Sequence, residues 1–251
     1  FIAYAICLLG QKAKKWDGIK ILLFYGIIAF LGAYKLTDNL STAVIILSIT
    51  VVLIFVVHPK TKPFVAGVIA VGIVGIIGII CLKYTLAESD NFRMRRIIAW
   101  LNPEANADTD SYQFLQGLYA IGSGGFFGKG LGNSTQKLHA IPEAQNDMIL
   151  AVICEELGVF GAILILCLFA FMLYRLLFIA RNAPDLYGSL VATGIFAHIA
   201  LQVTLNIAVV TGLMPTTGVT LPFISYGGTA IVILLAEMGI ALGISSKIRL
   251  K

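Results

Sequence analysis

Charged side chains are scarce in this 251-residue chain: Asp, Glu, Lys and Arg supply 12% of residues against 59% hydrophobic, and the mean hydropathy is +0.93. That balance excludes a water-soluble domain, because runs of about 17 to 25 apolar residues have the length of bilayer-spanning helices. Cysteine is sparse and unpatterned. Cys7, Cys81, Cys154 and Cys167 lie in or beside apolar runs with no C-x-x-C spacing, which excludes a disulfide framework and a zinc site and leaves small buried hydrophobes. His58 and His139 show no ligand spacing, so no metal site is assigned. The chain opens on Phe1, already apolar, with neither an initiator Met nor a basic leading segment. No signal peptide is therefore expected, and earlier helices are expected to be missing. The formal net charge of +5 is read by location rather than as a nucleic-acid signal.

What is present is a series of apolar runs. Residues 1–10 read as the end of a helix, and whole spans are predicted at about 19–36, 43–58, 64–86, 147–174, 188–213 and 229–246. Thr37 to Thr42 forms a polar turn, and Pro59-Lys60-Thr61-Lys62-Pro63 a break that a lipid-exposed helix cannot continue through. Gly67, Gly72, Gly75 and Gly78 suit close helix packing in lipid. The expected fold is an all-α polytopic membrane protein. It is a single membrane domain over 1–251, a bundle of six whole spans and a partial first one, with a long extracellular loop over 87–146. With this count Lys12, Lys14, Lys15, Lys60, Lys62, Arg175, Arg181, Lys247, Arg249 and Lys251 share one side. That side is cytoplasmic by the positive-inside rule, and the long loop and the Pro215–Gly228 loop then face outward.

Chemistry concentrates between residues 112 and 158. Asp147 closes the long polar stretch where an apolar helix is predicted to begin; it is either a water-facing residue favoured by the helix dipole or a functional acid. Glu155 and Glu156 lie deeper in the same helix. Glu155 is about 80° round from Asp147 and about 12 Å further in, too far for a paired acid–base couple, so a structural or relay role is expected for both glutamates. The cluster Gly122 to Gly132 fails as a nucleotide loop. Lys129 precedes Gly130 rather than Ser or Thr, and Ser123 stands where the leading Gly belongs. Gly124, Gly125 and Gly130 are expected to take positive φ or to lie close to another backbone. Lys129 and Lys137 flank this cluster, and Arg93, Arg95 and Arg96 sit beyond an outward helix end, where headgroup contact competes with substrate binding as an explanation. His198, Gln202 and Asn206 share one helix face and read as interhelical hydrogen-bond formers. Glu237 must find a partner or stay protonated.

Read together, these segments resemble the SEDS proteins (shape, elongation, division and sporulation: FtsW, RodA and SpoVE). The matching pieces are Arg93-Met-Arg-Arg-Ile-Ile-Ala-Trp-Leu-Asn-Pro, Tyr112-Gln113, Ala120-Ile-Gly-Ser-Gly-Gly, Gly128-Lys-Gly, Gln136-Lys-Leu, Pro142-Glu143, Asp147, Glu155-Glu-Leu-Gly and Leu221-Pro-Phe-Ile-Ser-Tyr-Gly-Gly. Gly-Leu-Gly-Asn-Ser before Gln136 is closer to the division and sporulation members. Two departures stand out. Pro142-Glu-Ala-Gln-Asn-Asp-Met replaces the family's Pro-Glu-x-His-Thr-Asp-Phe but keeps the aspartate. Thr37-Asp-Asn-Leu-Ser-Thr replaces Gln-Pro-Asp-Leu-Gly-Thr, which removes a carboxylate at Asn39.

The resemblance implies a peptidoglycan glycosyltransferase that polymerises lipid II at the outer face of the bacterial cytoplasmic membrane, at the septum or in sporulation. A class B penicillin-binding protein and other division or sporulation proteins are the implied partners. It places the catalytic aspartate at Asp147 and substrate contacts at Arg96, Gln113, Lys129, Lys137, Glu143, Ser225 and Tyr226. The leaving group is a lipid pyrophosphate, which needs positive charge; Arg96, Lys129 and Lys137, with or without a divalent cation such as Mg or Mn, are the candidates. A flippase for lipid-linked precursors, using Glu155, Glu237 and the His198 face as a path, and a non-catalytic scaffold are the alternative readings.

Overall fold

A computed structural model describes residues 1–85, 92–106, 111–136 and 144–248. Helix is the only regular structure among them, with no strand. The helices are α1 (Ile2–Leu9), α2 (Trp16–Thr37), α3 (Leu40–Val57), α4 (Lys62–Thr85), α5 (Phe92–Leu101), α6 (Tyr112–Gly124), α7 (Ile149–Asn182), α8 (Leu186–Val210) and α9 (Gly228–Ser245). Five of them, α2, α3, α7, α8 and α9, are long and apolar enough to cross a membrane, and α4 carries a further apolar stretch at Lys62–Gly75. Their outward surfaces hold Phe24, Leu31, Ile163, Phe171, Leu235 and Leu242, all exposed. A bilayer covers such faces, whereas water would not.

The chain divides into two compact units. The first comprises Phe1–Thr61, Cys167–Val203 and Gly227–Lys251. Within it α2 and α3 form a hairpin. Asp38 ends α2 in the left-handed conformation (φ 51°), and Asn39 caps α3 by accepting from the Ser41 and Thr42 N–H groups at 3.0 and 3.2 Å. An uncharged Asn serves this cap as well as the family's Asp, since only a side-chain oxygen is required. The two helices close on a small residue: a Cβ on Gly26 would lie 2.6 Å from Thr50 Cγ2. The end of α7 and the start of α8 are joined by Ser189 Oγ donating to the Ala180 carbonyl at 2.7 Å. Buried Ile179, Ala180 and Ala192 then pack with Ile244.

The second unit comprises Lys62–Leu166 and Thr204–Tyr226. Here the stretch expected as an extracellular loop contains two helices, α5 and α6, which hydropathy over a span-length window does not register. At 13 residues, α6 is too short to cross a bilayer but buries Phe114, Gly117, Ala120 and Gly124, which follow one another at helical spacing on one face. That face lies along the first turns of α7, a Cβ on Gly117 falling 2.7 Å from Met148 Cε. Asp147 is not itself helical. Residues 147–148 form a turn, and α7 starts at Ile149.

Candidate active site

The second unit gathers most of the residues singled out above, and its frame is a break in α7. Gly158 has φ 70° and ψ −168°, outside the helical region, although the helix continues on both sides. Such a break strands peptide groups that an unbroken helix would pair internally. The glycine-rich turn after α6 pairs with four of them. Lys129 and Gly130 donate their N–H groups to the Glu155 and Glu156 carbonyls, both at 2.9 Å. Val159 and Phe160 donate theirs to the Gly125 and Phe126 carbonyls, at 3.0 and 3.2 Å. Two helical bonds are exchanged for four between segments. The approach leaves no room for side chains: a Cβ on Gly128 would strike the Glu156 carbonyl, and one on Gly158 the Phe126 carbonyl. One on Gly124 would strike the Cys154 carbonyl, and Gly125 and Gly130 have φ of 60° and 96°. All three glycines named from sequence thus have the geometry expected of them.

Glu155 stands inside this clasp, wholly buried. Lys129 Nζ lies 2.6 Å from its Oε1; Thr135 Oγ1 donates to the same oxygen at 2.9 Å and Ser123 Oγ at 3.3 Å. Ser134 Oγ and the Gln136 N–H donate to Oε2 at 2.5 and 3.3 Å. A buried carboxylate is tolerated only with such a shell. Lys129, expected against substrate, has its ammonium paired with Glu155 while its side chain stays partly exposed. Glu156 is also buried.

At the other end of the α6–α7 pair stands Asp147, partly exposed. Gln113 Nε2, in the first turn of α6, donates to its Oδ1 at 3.3 Å. Its backbone is held from α8. Asn206, completely buried, donates its amide protons to the Asp147 and Val219 carbonyls, each at 2.8 Å. Asn206 thus ties the Asp147 turn to the segment between α8 and α9. That segment is fixed further by the Tyr226 N–H, which donates to the Gln145 carbonyl at 2.8 Å, and by Ser225 Oγ, which accepts the Leu221 N–H at 2.7 Å. Ser225 is buried and shapes the turn, in which Phe223 takes φ 63°; Tyr226 projects its ring outward. From the opposite side α5 reaches the same segment. Trp100 Nε1 donates to the Gly212 carbonyl at 2.8 Å, and Arg96 Nη1 to the Thr216 carbonyl at 3.4 Å.

Asp147, Gln113, Arg96, Ser225 and Tyr226 therefore belong to one connected frame, whereas Lys129 belongs to the Glu155 clasp. Lys137 and Glu143 lie outside the described residues. Among the described residues no group of three His, Cys, Asp or Glu side chains could hold a metal ion. Sequence reasoning missed Asn206 as a support of Asp147, though it placed the residue on a hydrogen-bonding face. It missed the Gly158 break too, although a glycine after two acids inside an apolar helix is the signal for one. In the first unit His198 Nδ1 lies 2.9 Å from Glu237 Oε1, which gives the lone acid of α9 its partner.

The sequence and fold match known proteins. Stage V sporulation protein E of Bacillus subtilis (strain 168) is 44% identical over 207 residues, covering 82% of this chain and 54% of the relative. The probable peptidoglycan glycosyltransferase FtsW of Geobacter sp. (strain M18) is 35% identical over 251 residues, covering 99% and 66%. The chain thus spans about half to two thirds of the length of these curated relatives. A chain from the structure of a peptidoglycan synthase complex that coordinates polymerization and crosslinking shares the fold. Its TM-score is 0.73 at 22% identity, over 98% of this chain and 67% of that one. The family model described as "Cell cycle protein", built on FtsW, RodA and SpoVE, matches residues 1–250, and this multi-helix membrane chain belongs to that family.

Proposed function

We propose that the chain forms the catalytic part of a peptidoglycan glycosyltransferase that polymerises lipid II, with Asp147 as general base. The observation that carries this reading is the way Asp147 is held. Its carboxylate is partly open and hydrogen-bonded by Gln113, while Asn206 fixes its backbone. A base must be positioned yet reachable. The acceptor sugar hydroxyl passes its proton to Asp147 as its oxygen bonds to the donor's anomeric carbon. The bond from that carbon to the lipid pyrophosphate breaks, and the electron pair leaves with the pyrophosphate. Arg96 is the described cation best placed to meet that charge, because it is anchored to the segment that also supports Asp147. Lys129 is assigned instead to the clasp, and Ser225 to the shape of its turn. Lys137 and Glu143 keep their sequence-based roles in substrate binding, and Tyr226 offers an exposed ring to the sugar chain. The names of the curated relatives support the reaction. A penicillin-binding transpeptidase as partner, an outward-facing site and a septal or sporulation location complete the reading.

The test is glycan-strand formation from lipid II by the full-length protein, with its partner's transpeptidase blocked and no other glycosyltransferase present. Asp147→Asn is expected to reduce the rate by about 10² to 10⁴. Activity within about threefold of the parent would remove Asp147 as base. A second reading, movement of lipid-linked precursor across the membrane, is favoured by one feature of the first unit: a cavity of about 520 Å³, mostly apolar, into which the paired His198 and Glu237 face. Under it the parent protein polymerises nothing, and His198→Gln slows transbilayer movement.

A further inference from the structure

We infer that the glycine-rich turn, residues 125–132, is immersed in the bilayer beside α7. Its Phe126, Phe127 and Leu131 rest against the acyl chains of the leaflet that surrounds Val159 to Leu164. This inference does not depend on the enzymatic reading.

The turn cannot drift in an aqueous loop, because four peptide hydrogen bonds fasten it to α7 on either side of Gly158. Those bonds place Phe126 beside Phe160, at the head of the charge-free run from Leu157 to Tyr174. That run is about 27 Å long at 1.5 Å per residue, close to the roughly 30 Å of a hydrocarbon core. The outer part of α7's span is lined by Phe160, Ile163 and Leu164, each more than half exposed. The turn continues the same kind of surface. Phe127 is 81% exposed, Leu131 76% and Phe126 59%, and the two phenyl rings meet edge to face with centroids 4.9 Å apart. Three large apolar side chains on an eight-residue turn otherwise made of glycine and one lysine are not the composition of a solvated tip.

Immersion also demands that polar groups be satisfied internally, since hydrocarbon offers no partners. The clasp and Asn133 meet that demand for six of the turn's backbone groups. The Lys129 and Gly130 N–H groups and the Gly125 and Phe126 carbonyls are all paired with α7. The Lys129 carbonyl accepts from Asn133 Nδ2 at 3.2 Å, and the Gly130 carbonyl from the Asn133 N–H at 3.2 Å. The one charge in the turn, Lys129, is matched by Glu155 at 2.6 Å. Non-helical backbone is tolerated at membrane depth where protein takes its polar groups, and the turn has that pairing on the side joined to α7. The Glu155 clasp and the exposed phenyl rings thus belong to one device. The inner side neutralises what lipid would reject, and the outer side presents what lipid accepts.

The test uses the full-length protein in vesicles of phosphatidylethanolamine and phosphatidylglycerol. Single cysteines at 127 and 131, with Cys7, Cys81, Cys154 and Cys167 replaced by Ala, are spin-labelled and compared with labels at 164 on α7 and at 37 in the polar turn. Relaxation by oxygen, which concentrates in acyl chains, and by a water-soluble nickel chelate is measured. Labels at 127 and 131 are expected to respond as the label at 164 does, favouring oxygen. A response like that at 37 would overturn the inference by returning the turn to water. Shielding from both reagents would overturn it equally, by showing that protein covers the surface. Should the cysteine variants not insert, Phe127→Trp in the otherwise unaltered chain gives a second reading above the Trp16 and Trp100 background. The added fluorescence should be quenched by acyl-brominated lipid; quenching by aqueous iodide instead would refute immersion.

Discussion

The pair Lys129–Glu155 permits the sharpest quantitative test of the α6–α7 frame. Breaking a buried ion pair by removing one partner costs about 3–5 kcal/mol, because the other charge is stranded. The Lys129 side chain is 34% exposed and Glu155 0%, so the two single changes are unequal. Lys129→Met leaves the carboxylate buried with its hydroxyl donors, and about 2–3 kcal/mol of destabilisation is expected, below the full range because those donors remain. Glu155→Gln keeps an acceptor for Ser134 and lets the ammonium relax toward water, for about 1–2 kcal/mol. The double variant leaves no unpaired charge and should be less destabilised than the sum by about 1.5–3 kcal/mol, within the span of coupling energies for residues in contact. The measurement is the unfolding midpoint of purified protein in mixed mild detergent and SDS, for all four members of the cycle. Additivity within about 0.5 kcal/mol would refute the argument, since it would mean that the two charges do not sense each other in the folded protein.

The glycines separate close approach from backbone conformation. Gly124→Ala, Gly128→Ala and Gly158→Ala push a methyl into a carbonyl and should lower the unfolding midpoint and the polymerisation rate together. Gly132→Ala, at φ 79° with open space around it, should cost only the left-handed penalty of about 1–2 kcal/mol. Asn206→Ala strips both buried carbonyls of their donor, at about 1–3 kcal/mol each. In a steady-state assay it is expected to depress kcat more than it raises KM, and an unchanged kcat would sever Asn206 from Asp147. For topology, a cysteine at exposed Leu213 is expected to react with an impermeant reagent in intact cells and one at Thr61 not to; the opposite pattern inverts the orientation.

Hydropathy and turn chemistry located the long helices, because a run such as Leu40–Val57 has no alternative way to satisfy its backbone in lipid. The same logic overlooked α5 and α6. Their apolar faces are one-sided and shorter than a span, so a window wide enough to find membrane helices averages them away. Asp147 could be singled out because an acid at the edge of an apolar run is conspicuous by itself. Its supports could not. Gln113 lies 34 residues before it and Asn206 59 after it, and no periodicity links positions that meet only through tertiary packing. Lys129 illustrates a subtler limit. Sequence shows a cation in an exposed-looking turn, but not its pairing with a glutamate 26 residues on, which only tertiary packing brings to it.

The break at Gly158 has a consequence for biogenesis. Residues 125–130 leave the ribosome well before residues 155–160, so the turn's peptide groups must wait for the partners that α7 brings. The clasp is therefore a late contact, formed only once the segment on both sides of Gly158 has been made. Closure also fixes register: a shift of α7 by one residue would move the Glu155 and Glu156 carbonyls away from the Lys129 and Gly130 N–H groups that they accept.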